Sequence, residues 1–518
     1  MTHLRQLIGG VVLAALIGVA HATATGEADA KVDAVFSAWT STTPGCAVGV
    51  RENGRDVLAR GYGMADLEHD VRITPDSIFE GGSVSKQFTA AAVLLLAREG
   101  KLSIDDPVRK HVPELPDYGK PLLIRHMLNH TSGLRDWGSV ESIAGWPRTS
   151  RVYTHAHVLD IVSRQRALNF DPGTSWSYSN TGFNLAAIIV SRVSRMPFPD
   201  FTRDRLFKPL GMTHTSWRDD HARIVKGRAL GYEKRGNAYY SDMPFEDVYG
   251  NAALLTTVGD LLKWNENFEK PVVGDRAFID EQQQPGKFSD GRPHLYAFGL
   301  YARTYRGVRE IAHSGSTAGY RAFLARYPDQ HLSVALLCNA AAVNPTQVAR
   351  QVAEIYLADR LKPAIDNKPT AKQIAAASGV YRSTWTGEPL TIGPGLNSLG
   401  SRTWAFTIGR ASATSENGLV EPYERVEAAK PTAQQLQGYA GTYDSDEAET
   451  SMTVAIDKGA LVLKRRPDTV IRLTPAYADA FTGPQIGAVI FRRGGDGRVV
   501  AFSVVQERVW DLRFTRRP

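Results

Sequence analysis

The stretch Glu80–Gly100, EGGSVSKQFTAAAVLLLAREG, decides how the rest of the chain is read. Ser83 and Lys86 stand three apart, where a glycine-containing loop gives way to an alanine- and leucine-rich run of helical character. Two readings are open at this point. Serine is a favoured N-cap, and a Ser-x-x-Lys match arises about once by chance in a chain of this length at ordinary residue usage. Alternatively, the pair is a nucleophile with its base. Residues three apart share a helix face, so the Lys86 amine can come back to the Ser83 hydroxyl. A serine at a helix N-terminus also brings an unpaired N–H and the positive end of the helix dipole to the place where acyl transfer develops negative charge. A lysine that acts as base needs apolar surroundings to lower its pKa, whereas a plain cap leaves it in solvent.

Before this helix lie a helical stretch, Ala28 to Trp39, and two strand-like runs, GCAVGVREN and RDVLARGYGMA, joined across Asn53-Gly54, a strong hairpin signal. After it, a helix-rich insertion runs to about Lys270. Strand patterns then return with YAFGLYART, VREIAHSGS, YRAFLARYP and LSVALLCNA, and an amphipathic helix, NPTQVARQVAEIYLADRLK, follows. Strands at both ends of a helical middle predict one α/β domain whose sheet is assembled from the two ends of the segment.

The chain has 518 residues, long for one domain, with ordinary globular composition. Its N-terminus runs from Arg5 through a short apolar stretch to Ala20-His21-Ala22, the order of a secretory signal peptide over residues 1–22. An exported protein, periplasmic or secreted, with no stable membrane span after cleavage is the expectation. The two cysteines, Cys46 and Cys338, lie in apolar strand-like runs, which favours buried thiols, although export permits a disulfide. The net charge of +7 is spread along the chain with no basic block carrying interleaved aromatics, which argues against nucleic acid as a partner.

Beyond the linker KPAIDNKPT the texture changes. PTAKQIAAASGVYRS (residues 369–383) recurs as PTAQQLQGYAGTYDS (residues 431–445), with Pro, Thr, Ala, Gln, Gly, Tyr and Ser in register. Alternating runs and tight turns follow the second copy, the pattern of an up-and-down antiparallel barrel. The first copy is shorter and richer in glycine, a degenerate version of the same unit. The expected organisation is therefore a signal peptide (1–22), an α/β domain (23–362), a degenerate β-barrel-like repeat (363–430) and an antiparallel barrel (431–518).

Two further stretches bear on the opening pair. TSWSYSNTGFNL contains Tyr178-Ser179-Asn180, and REIAHSGSTAGY contains His313-Ser314-Gly315-Ser316. With Ser83 and Lys86 they form, in order, S-x-x-K, Y-x-N and [KH]-x-G. This constellation resembles the serine β-lactamase and penicillin-binding-protein family, nearest the class C branch with its esterases, D-aminopeptidases and D,D-peptidases. FEGGSVSKQFTAAAVLLL, LSIDDPV, IRHMLNHTSGL, WSYSNTGFNLAAIIV, RLFKPLGMTHTSW and LLTTVGDLLKW support the same likeness, from about Ala28 to Arg360. The tail is similar to the lipocalin-like barrels appended to D-aminopeptidases.

The resemblance implies an α/β fold of the β-lactamase/transpeptidase type, with an antiparallel sheet, flanking helices and a helical subdomain, followed by all-β barrels. It implies Ser83 as nucleophile, Lys86 as the group that helps take its proton, and Tyr178 as the relay to the leaving group, its phenolate favoured by the Lys86 ammonium. It further implies Asn180 holding Lys86 and the substrate, and an oxyanion hole from the N–H groups of Ser83 and Ser316. Gly315 would leave the strand edge open for substrate. His313 stands where β-lactamases have lysine, and it predicts a preference for esters or amides without a free carboxylate, with carboxylate substrates gaining as pH falls toward 6. The implied substrate is a small molecule or short peptide, a D-amino-acid amide, peptide or ester, and a peptidoglycan-derived ligand is a candidate. A true class C-like β-lactamase and an acylated sensor without efficient turnover are the alternatives. No cofactor is implied. In relatives with the barrel, one of its loops brings an acidic side chain to the substrate's amine, and YDSDEAE (Tyr443 to Glu449) is the candidate run here.

Metal readings are weak. HAHVLD (His155 to Asp160) and HMLNH (His126 to His130) each lack a residue that their zinc motifs require. No G-x-S-x-G elbow surrounds Ser83, which excludes an α/β-hydrolase.

Overall fold

Asn53 and Gly54, both at positive φ (51° and 76°), make the tight turn that their dipeptide predicts. They join β1 (Cys46–Glu52) to β2 (Arg55–Tyr62). The structure is a computed structural model and describes residues 26–146, 151–365, 369–393, 402–407, 409–415 and 417–518. The proposed signal peptide lies outside the described residues.

Four more strands, β3 (Tyr301–Tyr305), β4 (Val308–Thr317), β5 (Tyr320–Tyr327) and β6 (Leu332–Cys338), complete an antiparallel sheet of order β3-β4-β5-β6-β1-β2. The sheet is thus built from both ends of the α/β segment, as the strand pattern predicts. Alternate β1 residues face opposite sides. Cys46, Val48 and Val50 join one apolar cluster with Ala349, Val352 and Ala353. Ala47 joins another with Val258, Leu261 and Leu262. The covering helices are those that carry these residues, Val258–Glu269 and Pro345–Tyr356. In the helical middle, α1 (Lys86–Arg98) is buried on every face from Lys86 to Leu96, the mark of a central helix. Against it packs α2 (Asn180–Ser194).

The expectation of free thiols is overturned. The antiparallel register sets Cys46 directly opposite Cys338, and the two form a disulfide across a sequence separation of 292 residues. The apolar runs were read correctly as strands, but a single strand gives no register, so the pairing was not legible. Replacing both cysteines by serine is expected to remove about 2–5 kcal/mol of stability. The check is the urea midpoint of the oxidised protein against that of the double variant. Coincident midpoints would show that the cross-link contributes nothing.

The repeated segments repeat their geometry. Thr370 and Thr432 each cap a short helix, in reciprocal boxes with Gln373 and Gln435. Tyr381 and Tyr443 each donate to the backbone carbonyl four residues earlier, at 2.9 and 2.7 Å. The strands that follow, β7 (Gly379–Ser383) and β8 (Gly441–Ser445), begin sheets of unequal completeness. The first is an open, five-stranded half-barrel. The second has nine strands, each paired with its chain neighbour, and its last strand, β10 (Val509–Arg516), returns to pair with β8. The sheet's two edge strands, Thr469–Arg472 and Thr474–Tyr477, are separated in the chain by Leu473 alone, so the barrel is nearly closed.

The acidic run Tyr443–Glu449 docks on the helical part of the α/β domain. Arg135 pairs with Glu447, and the Gln165 side-chain amide donates to the Glu447 carbonyl at 3.0 Å. It does not line the central cavity.

Candidate active site

Ser83 lies on a single 3₁₀ turn, Gly82–Ser85, that runs into α1. Neither Ser83 nor Ser85 caps the helix through its side chain. Several bonds fix the turn from behind. Gly81 N–H donates to Leu254 O at 2.8 Å, Leu254 N–H to Ser85 Oγ at 3.1 Å, and Ser85 Oγ to Gly82 O at 2.6 Å. Glu80, just upstream, accepts from Ala253 N–H at 3.0 Å and forms a fully buried ion pair with Arg218.

Lys86 is buried at 0 % exposure, opposite to what a solvated cap requires. Its Nζ lies 3.0 Å from Ser83 Oγ, 2.9 Å from Asn180 Oδ1 and 2.8 Å from the Asn251 carbonyl. Burial, reinforced by the charge of Arg508, holds its pKa well below the usual lysine range, with Asp136 opposing. Tyr178 is held in the protonated form. Burial pushes its phenol up to about 12, against the opposing effects of the Ser83 hydroxyl and Arg508. Burial thus disfavours the charged form of both groups and works against the expected ammonium–phenolate pair. The Lys86 Nζ stands 4.8 Å from the Tyr178 ring centroid.

Asn180 opens α2, where its backbone N–H donates to Asp136 Oδ2 at 2.8 Å and its side chain faces Lys86. Ser316 reaches the Ser83 turn from β4, the edge of which is free beyond Ala312 among the described residues because β3 pairs only with Val308 to Ala312. A Cβ on Gly82 would come within 2.6 Å of Ser316 N, and Gly82 itself sits at φ +50°. Gly315 has a different reason from the one expected. A Cβ there would meet the Gly81 carbonyl at 2.0 Å, so glycine lets β4 close onto the turn that carries Ser83.

His313 is 2 % exposed, and protein takes both ring nitrogens: Nδ1–H donates to Ser314 O at 2.6 Å, and Nε2 accepts from Tyr296 O–H at 2.9 Å. Burial first, then the charge at Lys86, lowers its pKa to about 3. It therefore offers substrate no N–H, and the expected gain in charge toward pH 6 does not arise. A depressed histidine pKa means that the neutral form persists down through the ordinary range and protonation comes only near pH 3. In an NMR titration the His313 ring, assigned by difference with His313→Asn, is expected to stay neutral from pH 8 to 5. A midpoint near 6.5 would contradict the geometry.

Sequence reasoning passed over four neighbours. The Asn251 carbonyl is a partner of Lys86. His130, at φ +63°, packs its ring 4.2 Å from that of Tyr178 and accepts from Ser179 N–H at 3.2 Å. In the sequence His130 stands out only as the second histidine of HMLNH, a metal pattern that gives no hint of its packing on Tyr178. Asp136 braces Asn180. The fourth, Arg508, belongs to the barrel. Glu507 and Arg508 form the two-residue turn between β9 (Val499–Gln506) and β10, and Arg508 Cζ lies 4.7 Å from the Tyr178 ring centroid. This turn, and not the acidic run 443–449, is the barrel's contribution to the site.

The cavity above Ser83 has a volume of about 670 Å³ and draws on three parts of the chain. Tyr178, Asn180, His313 and Ser316 line its floor, and Trp385, Glu388 and Glu421 come from the half-barrel. Trp510 of the barrel stacks on Trp385 at 6.3 Å and 21°. Burial, and then neighbouring Glu421, push Glu388 up to about 7.

The histidines of the discarded metal motifs serve local structure. His157 Nδ1 accepts from Thr154 N–H at 3.1 Å, His155 Nε2 lies 3.0 Å from Tyr249 O, and His126 Nδ1 accepts from Leu123 N–H at 3.2 Å.

A family model described as Beta-lactamase matches residues 30–357. Protein flp of Staphylococcus aureus strain NCTC 8325 is 27% identical over 303 residues, 57% of this chain, and the chain spans only 59% of that relative's length. A D-aminopeptidase of Gluconobacter oxydans strain 621H is 27% identical over 411 residues, 77% of this chain and 76% of its own. Among solved structures, the octameric penicillin-binding protein homologue from Pyrococcus abyssi superposes with a TM-score of 0.58 at 20% identity, covering 95% of this chain and 99% of its own. That likeness of fold extends through the C-terminal sheets.

Proposed function

The chain belongs to the beta-lactamase family, and on that premise we propose that it is a serine hydrolase acting through an acyl-enzyme on an amide or ester bond, with a D-amino-acid amide, short D-peptide or small ester as substrate. The observation that carries the reading is the fully buried Lys86, its amine 3.0 Å from Ser83 Oγ and its pKa depressed. A neutral amine at that distance is a general base in place.

In this reading Ser83 Oγ attacks the acyl carbonyl while Lys86 takes the hydroxyl proton. The N–H groups of Ser83 and Ser316 receive the oxyanion. The Tyr178 phenol gives its proton to the departing nitrogen or oxygen and recovers one through Lys86. Water then attacks the ester carbonyl, the Ser83–acyl bond breaks, and Ser83 recovers its proton as the carboxylic acid leaves. Asn180 holds Lys86 and the acyl amide. The D-amino-acid assignment draws support from the Gluconobacter relative and from the carboxyls of Glu388, Glu421 and Glu507 around the cavity, to which the ammonium of a free amino-acid amide would be drawn. Export to the periplasm or beyond is part of the proposal, supported by the signal-like N-terminus and by a disulfide, which oxidising compartments favour.

The test is intact-mass analysis after incubation with D-amino-acid amides, short-chain esters and β-lactams. Transient adducts and product from the first two classes are expected. A long-lived β-lactam adduct, with no turnover of amide or ester, would instead point to a sensor.

A further inference from the structure

Arg508 is a cation of the cavity lining that takes no proton or bond in the hydrolytic cycle. Its turn is held firmly: the Arg508 carbonyl accepts from Asp136 N–H at 3.3 Å and Asn169 Nδ2 at 3.1 Å, and Trp510 N–H donates to Asn169 Oδ1 at 2.9 Å. Its guanidinium lines the cavity against the face of Tyr178, and among the described residues no hydrogen bond or ion pair of the guanidinium to protein is found. Glu507, its neighbour, is exposed, and the Asp136 carboxylate is committed to Ser139 N–H at 3.0 Å and Asn180 N–H at 2.8 Å. A guanidinium has five N–H donors in one plane and stays charged. Here it is half-buried, and a cation partly removed from water with no protein partner binds an arriving anion more strongly than an exposed one does. His313, at the family's lysine position, has no donor left for an anion.

We propose that Arg508 is a specificity-determining residue that binds a carboxylate of the substrate, so that the preferred acyl donors carry an anionic group beside the scissile bond. The cation for this comes from the barrel's last hairpin. The inference reverses the preference expected from His313, and it rests on Ser83 being the nucleophile. In the acyl transfer itself Arg508 moves no proton and makes no bond; its charge acts there only on the ionisation of Lys86 and Tyr178.

Phenylboronic acid and its 3-carboxy and 4-carboxy derivatives test it without knowledge of the natural acyl group, because boron accepts the Ser83 oxygen whatever the substrate. Each is measured on the full chain as protection of Ser83 from a fluorophosphonate label. At least one carboxylated boronate is expected to bind about ten- to a hundredfold more tightly than the parent. Arg508→Gln should abolish that ratio, and Arg508→Lys should keep part of it. Because the readout is a ratio, a variant that merely loosens the hairpin weakens all three compounds alike. The inference is overturned if no carboxylated compound outbinds the parent, or if the advantage survives in Arg508→Gln. Failure of the fluorophosphonate to label Ser83 in the wild type would overturn the hydrolase reading first.

Discussion

Ser83→Ala is expected to lower turnover of every ester or amide substrate by about 10⁴-fold or more, the scale seen when a nucleophilic serine is removed. It should also abolish labelling by an alkyl fluorophosphonate, which in the wild type adds one covalent mass to the peptide containing Ser83. Little else should change. The Ser83 hydroxyl caps no helix, and the turn that carries it is held by Glu80, Ser85 and the backbone of Leu254. A near-native melting temperature with activity gone is therefore the expected pair of results. Residual turnover within tenfold of wild type, or a label on another serine, would remove the basis of the proposed chemistry.

Lys86→Met is expected to cost about 10²–10⁴-fold in the acylation rate, the range for a lost general base, and to change the shape of the pH profile. The sign follows from the depressed pKa. The free amine is the active form and persists above the folded-state pKa, so wild-type kcat/KM should fall as pH drops through that value, well below the usual lysine range. Tyr178, raised to about 12, keeps its proton throughout the working range and sets the alkaline side. Lys86 and Tyr178 share Ser83, so the acid limb is a property of the set. In Lys86→Met the acid limb should vanish and slow, nearly pH-independent acylation should remain. An unchanged acid limb would assign the base elsewhere, with His130, packed on the Tyr178 ring, the first place to look.

What could be read from the chain followed the range of the interactions. Ser83 and Lys86 meet because one helical turn brings them together, and that turn is local. The sheet was legible because β1 to β6 alternate or run apolar with strong turns between them. Tyr178, Asn180 and Ser316 were found through spaced motifs, which carry identity but not protonation. The pull against the ammonium and the phenolate comes from burial, a property that only the packed molecule has. His313 was misjudged for the same reason: a histidine in a sequence suggests a pKa near 6.5, and only the Tyr296 hydroxyl and Ser314 carbonyl reveal that the ring is spent. Cys46 and Cys338 needed a register. Arg508 needed the docking of one folded unit on another, and nothing in the run RVW around it announces that.

The barrel's last hairpin has a consequence for biogenesis. Ser83, Lys86 and Tyr178 are made long before Arg508 and the strand that pairs with β8. A chain still emerging from a ribosome or a translocation channel holds its nucleophile but lacks the wall over Tyr178 and the carbonyl that steadies Asp136. The finished pocket therefore waits on the synthesis of β10. A frameshift or proteolytic nick at the Glu507–Arg508 turn, far in sequence from Ser83, strikes the same cavity as a lesion beside the serine.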